Sequence, residues 1–224
     1  MSNPGQLVFL ARNVSKFCIG MEGNVSCRLH HINGFYIKAS GASLSNMSTN
    51  DISCCDMTGR QLDKKKPSIE MEFHKIIYQT CPEINYIAHT HPINTLKILC
   101  GDKNLLIDFC SKRLYPEQVI FNGPESGIVH YLKPGKDLAI GIKNDIMYFI
   151  DYKKPIPKLI LLQNHGIIAL GKTVQECVAI TETCEKAAEV FLGALSTGKI
   201  RYLSEESVTE LLEDENEKYR MSLV

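Results

Sequence analysis

The chain has 224 residues, of which 44% are hydrophobic and 22% are charged, a composition that is ordinary for a soluble globular protein and excludes a disordered chain. The length predicts one domain, with a mobile tail from about residue 200, in preference to two domains. The 25 basic and 25 acidic side chains give a formal charge of zero. No overall positive field therefore draws nucleic acid or an anionic membrane to the protein, and an anionic ligand would need a local site.

The sequence shows no targeting pattern. No apolar run approaches the roughly 20 residues that cross a bilayer, and the N-terminus lacks the charged start and apolar core of a signal peptide. The nine cysteines are an odd number, and no two of them are separated by two residues. We interpret them as reduced, mostly buried thiols of a cytoplasmic protein, with a redox or zinc-thiolate role as the alternative.

The spacing of apolar, glycine and proline residues predicts alternating helices and strands. In chain order these are a helix at 4–20, strands at 26–32 and 35–37, a helix at 68–80, a strand at 84–90, helices at 92–100 and from 134, strands at 158–163 and 167–170, and helices at 174–195 and from 204. Asn33 and Gly34 tolerate positive φ, which predicts a tight hairpin turn between the first two strands. Hairpins mixed with helices indicate a sheet covered by helices, with much antiparallel pairing.

Three histidines form a candidate metal site. His89 and His91 stand two apart at the end of a predicted strand, so their side chains project from the same face. His165 lies in a tight turn beside Gly166, which leaves room next to the ring. Three histidines with an open position are typical of a catalytic zinc ion. The alternative is a surface strand with two polar positions.

An acidic residue begins the helix that precedes this strand. Pro67 and Ser68 place Glu70 in the first helical turn, where free backbone N–H groups favour an anion such as phosphate. Polar turns that contain glycine, at 23–26 and 40–41, offer further donors to a phosphate. His74, one turn after Glu70, is interpreted as part of a solvated helix face.

Five motifs occur in a characteristic order: GNVS at 23–26, IKASG at 37–41, PSIE at 67–70, HTHP at 89–92 and NHG at 164–166. Together they resemble the class II aldolase/adducin-domain family, from the first helix to about residue 195. The resemblance implies a three-layer α/β/α domain with a mostly antiparallel central sheet. It also implies a divalent metal, usually zinc, and a cyclic homotetramer with active sites at subunit interfaces.

The same resemblance assigns roles residue by residue. The implied residues are the metal ligands His89, His91 and His165, the acid/base Glu70, the substrate-binding Asn24, Lys38, Ser40, Gly41 and Ser68, and a C-terminal catalytic tyrosine, Tyr219. Two departures concern the substrate. Ile69 stands where the aldolases carry a second serine, and the region 115–121 has no clear counterpart to a tyrosine that a neighbouring subunit supplies.

The implied reaction is metal-dependent cleavage of a phosphorylated ketose to dihydroxyacetone phosphate and an aldehyde. Glutamate at position 70 favours this aldolase branch, since the epimerase branch carries aspartate, whereas Lys38 resembles the epimerase branch. A pentulose-phosphate 4-epimerase and a thio-sugar phosphate dehydratase are the alternatives among enzymes. A metal-free interaction module, as in adducin, is the alternative of another class, and the three histidines argue against it.

Overall fold

The computed structural model describes residues 4–223 and contains one mixed sheet flanked by helices. The strands are β1 (Asn24–Leu29), β2 (Gly34–Lys38), β3 (Ile52–Asp56), β4 (Tyr86–Thr90), β5 (Gly127–Val129), β6 (Leu159–Leu162) and β7 (Gly166–Gly171). The helices are α1 (Pro4–Val14), α2 (Met71–Thr80), α3 (Ile93–Leu99), α4 (Lys103–Ser111), α5 (Pro116–Asn122), α6 (Lys136–Tyr148), α7 (Val174–Ser196), α8 (Glu205–Glu213) and α9 (Glu215–Ser222).

The sheet has the strand order β3-β2-β1-β4-β7-β6-β5. Every neighbouring pair is antiparallel except β5 and β6, which are parallel. Strands β4 and β7 therefore lie at the centre, with β1 on one side and β6 on the other. The prediction of a mostly antiparallel sheet is confirmed, with one parallel pair at the edge that makes the sheet mixed.

Each face of the sheet carries its own hydrophobic core, because successive side chains of a strand point to opposite faces. In β7, Ile167 and Ala169 belong to one core, and Ile168 and Leu170 belong to the other. Helices α1 and α7 contribute to the first core, while α2 and α6 contribute to the second. This arrangement is the predicted three-layer α/β/α architecture, which is confirmed.

The β1–β2 hairpin is present, but its turn differs from the predicted one. Leu29 pairs with Gly34, so the loop covers the four residues 30–33 and Gly34 is the first residue of β2. The glycine is needed there for another reason, because a Cβ would lie 2.5 Å from the carbonyl oxygen of Cys55 in β3. Close approach of the neighbouring strand, rather than positive φ, requires Gly34.

The C-terminal region beyond residue 200 forms α8 and α9, which pack against α5. Its predicted mobility stays a prediction.

All nine cysteines are free thiols, and six of them are buried, as expected of small interior residues. No helix among residues 4–223 is both long and apolar enough to span a membrane.

Arg113 is a buried cation, only 1% exposed, that joins two helices. Its guanidinium donates to the carbonyls of Cys110 near the end of α4 and of Gly123 just after α5, at 3.0 and 2.6 Å, and to Ser126 Oγ at 3.0 Å. The carbonyl ends of helices carry partial negative charge. Arg113 therefore supplies the cation that two helix C-termini need in the interior.

We expect Arg113→Ala to lower the free energy of unfolding by about 3 kcal/mol, because it removes a large buried side chain and leaves the buried carbonyl oxygen of Gly123 without a donor. Lys112→Ala is the matched control, since the Lys112–Asp108 ion pair is largely exposed and should contribute less than about 1 kcal/mol. Urea unfolding of the two variants measures the difference. Equal losses would contradict the role given to Arg113.

Candidate active site

The three predicted histidines meet at one end of the two central strands. His89 lies in β4, His91 follows that strand directly, and His165 precedes β7. Because β4 and β7 are antiparallel neighbours with Thr90 opposite Ile167, the end of β4 lies beside the start of β7. One nitrogen from each of the three rings lies within 4.8 Å of the others.

Neighbouring atoms surround Gly166 so closely that no larger residue fits at this position. A Cβ at Gly166 would lie 2.5 Å from the carbonyl oxygen of Thr90 and 2.6 Å from Cδ2 of His91. Asn164 adopts a positive φ of 57°, a conformation that asparagine tolerates better than most residues. The Asn-His-Gly turn therefore brings His165 against the end of β4.

Hydrogen bonds determine which ring nitrogen of His89 carries the free lone pair. Nδ1 of His89 lies 2.9 Å from the carbonyl oxygen of Ile167, which can only accept, so we assign the ring proton to Nδ1. The lone pair then lies on Nε2, which is 3.0 Å from Nε2 of His91. Two imidazole nitrogens approach this closely without repulsion only when a proton or a cation lies between them.

Glu70 completes the cluster from the other side. It is the residue directly before α2. Its two carboxylate oxygens lie 3.3 Å from Nε2 of His89 and 3.2 Å from Nε2 of His165. The Nδ2 group of Asn24 donates to the carboxylate at 2.8 Å. The sequence places Glu70 correctly at a helix start, and the fold turns its side chain toward the histidines.

Burial and local charge set the protonation of these groups. Burial raises the pKa of Glu70, but His89, His165 and the Asn24 hydrogen bond together outweigh it and hold that pKa well below its ordinary value. Burial lowers the pKa of His89 to about 4, against the opposing effect of Glu70. Burial also lowers the pKa of His91. The site therefore combines the carboxylate of Glu70 with neutral imidazoles at His89 and His91 at pH 7.

This donor set fits a divalent metal ion. Neutral imidazole nitrogens and carboxylate oxygens are the ligands that zinc and similar ions take in proteins. Ligand histidines ordinarily donate their second ring N–H to a carbonyl or a carboxylate. His89 does so to Ile167, and the Glu22 carboxylate lies 3.5 Å from Nδ1 of His91. Sequence reasoning missed Glu22, which precedes the first glycine motif and carries no pattern of its own.

Lys38 is buried and spans two loops beside the site. It is only 2% exposed, and its ammonium donates to the carbonyls of Met21 and Ala42 at 2.8 and 2.7 Å. A backbone bridge between Ala39 and Pro67 holds the end of β2 against the segment that leads to α2. Lys38 thus fixes the relative positions of loops that carry other predicted site residues.

The remaining predicted residues differ in burial and in the contacts that they make. Ser68 is buried, and its Oγ accepts from the backbone N–H of Glu70 at 3.3 Å. Ser40 and Gly41 are exposed on the loop after β2, where the Ser40 N–H donates to Lys66 at 2.8 Å. Tyr219 is 66% exposed on α9, and no hydrogen bond, ion pair or ring contact among residues 4–223 joins its side chain to the histidines.

The interpretation of His74 as a solvated residue is wrong. Its side chain is fully buried, and its ring bonds Asn24 and Ser26. Helical spacing could have revealed this, because Phe73 and Ile77 are apolar and place the same face of α2 toward the sheet. A polar residue on such a face requires buried hydrogen-bond partners.

Comparisons with known proteins agree with this architecture. Residues 10–192 match the family model described as Class II Aldolase and Adducin N-terminal domain. A 3-oxo-tetronate 4-phosphate decarboxylase from Haemophilus influenzae is 31% identical over 196 residues, covering 87% of this chain and 88% of the relative. An L-fuculose phosphate aldolase from Methanococcus maripaludis is 31% identical over 175 residues, covering 78% and 86%.

The fold is shared with a solved L-fuculose 1-phosphate aldolase, at a TM-score of 0.80, 21% identity and 98% coverage of both chains. The protein therefore belongs to the class II aldolase and adducin domain family. The family resemblance drawn from the five sequence motifs is confirmed. Metal binding by the histidines stays a prediction.

We expect His91→Ala to reduce bound divalent metal from about one ion per chain to near zero, because the site loses one of three nitrogen ligands. His31→Ala, at an exposed position in the β1–β2 loop, is the control and should keep its metal. Elemental analysis of both purified proteins decides the matter. Full metal content in His91→Ala would refute the assignment.

We also expect the metal-free protein to lose stability as the pH falls. Burial lowers the pKa of His74 to about 3 and that of His89 to about 4, from 6.5. Below pH 6.5 the unfolded chain binds protons at these histidines that the folded chain excludes, so each contributes a loss of up to about 1.4 kcal/mol per pH unit. The depressed pKa of Glu70 acts in the same direction.

Urea unfolding of chelator-treated protein between pH 7.5 and pH 5 measures this slope. His89→Gln should make the slope shallower, because the variant has one buried titratable group fewer. A slope that is unchanged in His89→Gln, or a stability that is flat with pH, would contradict the expected linkage.

Proposed function

We propose that the protein is a metal-dependent aldolase that cleaves a phosphorylated ketose to dihydroxyacetone phosphate and an aldehyde, similar to L-fuculose-1-phosphate aldolase. The observation that carries the proposal is the ionised carboxylate of Glu70 beside three converging imidazole nitrogens. Such a carboxylate can exchange a proton with carbon next to a polarised carbonyl. A purely structural domain would have no use for this buried arrangement, which costs desolvation.

His89, His91 and His165 would hold the metal, and zinc is the ion that we propose. When bound there, a divalent ion supplies Lewis-acid stabilisation of the negative charge that develops on the substrate oxygens. The proton at the reacting carbon of the ketone fragment would be moved by Glu70. Asn24 donates a hydrogen bond to the Glu70 carboxylate, which holds it in place and favours its ionised form.

The substrate phosphate would be held by the polar loops beside Glu70. Ser40, Gly41 and Ser68 offer hydroxyl and backbone donors on segments that Lys38 ties together. Lys38 itself contributes by fixing these loops, since its ammonium is occupied by two carbonyls. Asn24 would both hold Glu70 and bind the substrate phosphate. Its amide can donate two hydrogen atoms, and Glu70 takes one of them.

We further propose a cytoplasmic homotetramer with active sites at subunit interfaces. Tyr219 is exposed on α9, and no hydrogen bond, ion pair or ring contact joins its side chain to the histidines among the described residues. An exposed tyrosine is available to the site of another subunit. It would then protonate or deprotonate the hydroxyl on the aldehyde side of the substrate.

Decarboxylation of a 3-oxo acid phosphate is a second candidate. It is favoured by the relative from Haemophilus influenzae that carries that name and matches 87% of this chain. Loss of carbon dioxide leaves negative charge next to a carbonyl, as aldol cleavage does, so the same metal and carboxylate would serve. The two reactions differ in the group that leaves.

A panel of phosphorylated ketoses and 3-oxo acid phosphates, assayed with zinc-loaded protein, separates the candidates. Release of aldehyde and dihydroxyacetone phosphate supports the aldolase, and release of carbon dioxide supports the decarboxylase. Formation of an epimer without net cleavage supports the epimerase alternative. No turnover of any substrate by fully loaded protein would overturn the proposed function.

We expect Glu70→Gln to retain the fold and to lower turnover by roughly 10²–10⁴, the loss typical of a missing general acid/base. Glutamine fills the same space but cannot exchange the proton. The measurement is exchange of the α-protons of dihydroxyacetone phosphate with solvent deuterium, followed by proton NMR. Exchange at the wild-type rate would show that another residue moves the proton.

A further inference from the structure

A chain of five buried polar side chains leads from the candidate site into the interior. Asn24 donates to Glu70 at 2.8 Å, and Nε2 of His74 bonds the Oδ1 atom of Asn24. Nδ1 of His74 lies 2.7 Å from Oγ of Ser26, which is 2.7 Å from the hydroxyl of Tyr78. All five side chains are at most 8% exposed.

The direction of these hydrogen bonds follows from the Glu70 carboxylate at one end and from a neutral ring at His74. A carboxylate only accepts, so Asn24 must present its NH₂ group to Glu70 and its carbonyl oxygen to His74. That oxygen also only accepts, so Nε2 of His74 carries a proton. A neutral ring then accepts at Nδ1 from the Ser26 hydroxyl, whose oxygen accepts from Tyr78. The Tyr78 hydroxyl also lies 3.5 Å from the carbonyl oxygen of Asn85, farther than its 2.7 Å distance to Ser26 Oγ.

The environment supports a neutral histidine. His74 lies fully inside the protein, where burial lowers its pKa to about 3. Burial likewise raises the pKa of Tyr78, which keeps its hydroxyl protonated as the donor at the end of the chain. The hydrogen bond to Asn24 requires a proton on Nε2 of His74, and burial disfavours a second proton on the ring.

We propose that His74 is a positioning residue for Glu70. Its Nε2–H fixes the orientation of the Asn24 amide, and the amide in turn holds the Glu70 carboxylate in place and aimed at the histidine cluster. If the amide turned over, its carbonyl oxygen would face the carboxylate and repel it. This inference rests on the proposed acid/base role of Glu70, but the tautomer that it requires does not depend on any reaction.

The first test is the protonation state of His74 in the full-length protein. Long-range ¹H–¹⁵N NMR of histidine-labelled protein at pH 7 distinguishes the two neutral tautomers and the charged ring, and the His74→Gln spectrum assigns the signal. We expect the neutral tautomer with hydrogen on Nε2. Hydrogen on Nδ1, or a charged ring, would overturn the proposal even if the protein proves to be an aldolase.

The second test compares two substitutions at this position. The amide of His74→Gln can still donate to Oδ1 of Asn24, whereas His74→Leu cannot. With dihydroxyacetone phosphate and solvent deuterium as the probe, His74→Leu should slow exchange by about 10–100-fold, as losses of supporting hydrogen bonds typically do. His74→Gln should stay close to wild type, and KM should change little in both variants.

Ile77→Ala is the matched control, because Ile77 is equally buried on α2 and lies outside the hydrogen-bond chain. It should lower stability and leave the exchange rate unchanged. If Ile77→Ala slows exchange as much as His74→Leu does, or if His74→Gln is as slow as His74→Leu, the role of His74 is structural and the proposal fails.

A double-mutant comparison tests whether His74 acts through Glu70. In the Glu70→Gln background, the added His74→Leu substitution should slow exchange no further, since the group that it positions is already absent. If the double variant loses exchange rate by the product of the two single losses, His74 acts by a route that does not involve Glu70. Protein that exchanges no protons at all would refute the proposed function, and the NMR result would still decide the tautomer.

Discussion

The antiparallel pairing of β4 with β7 is the constraint on which the site depends. Both strands are buried on both faces, and their alternate side chains enter two separate cores. A slip of one residue would exchange these side chains between the cores and turn His89 to the opposite face. The two cores therefore fix the register, and the register places His89 and His91 opposite the turn that carries His165.

The site also depends on polar groups that are removed from water. Glu70 lies in the interior and accepts a hydrogen bond from Asn24, because a buried carboxylate without a partner would be costly. Asn24 belongs to β1, so the strand beside the central pair of β4 and β7 also supports the site. The helix, the sheet and the site are thus joined through a few directed hydrogen bonds.

One arrangement of groups can serve both candidate reactions. Aldol cleavage and decarboxylation each leave an electron pair on carbon next to a carbonyl, and each is assisted by a Lewis acid and a proton-transfer group. The histidines lie at the ends of β4 and β7 and Glu70 lies directly before α2, whereas Ile69 and Met21 are exposed on the adjoining loops. We therefore expect the loops to determine the choice of substrate, and the histidines and Glu70 to determine the chemistry.

The sequence by itself indicated the family through its five motifs, and that resemblance implied the layers of the fold. It also singled out His89, His91, His165 and Glu70, whose roles stay predictions. It misjudged His74 and the hairpin turn at Gly34, since local patterns do not show which strand or side chain lies alongside. It gave no sign of Glu22 or of the use of Lys38 as a link between loops. Only the tertiary structure decided those points, because hydrogen bonds between residues distant in the chain depend on strand register and on the packing of α2 against the sheet.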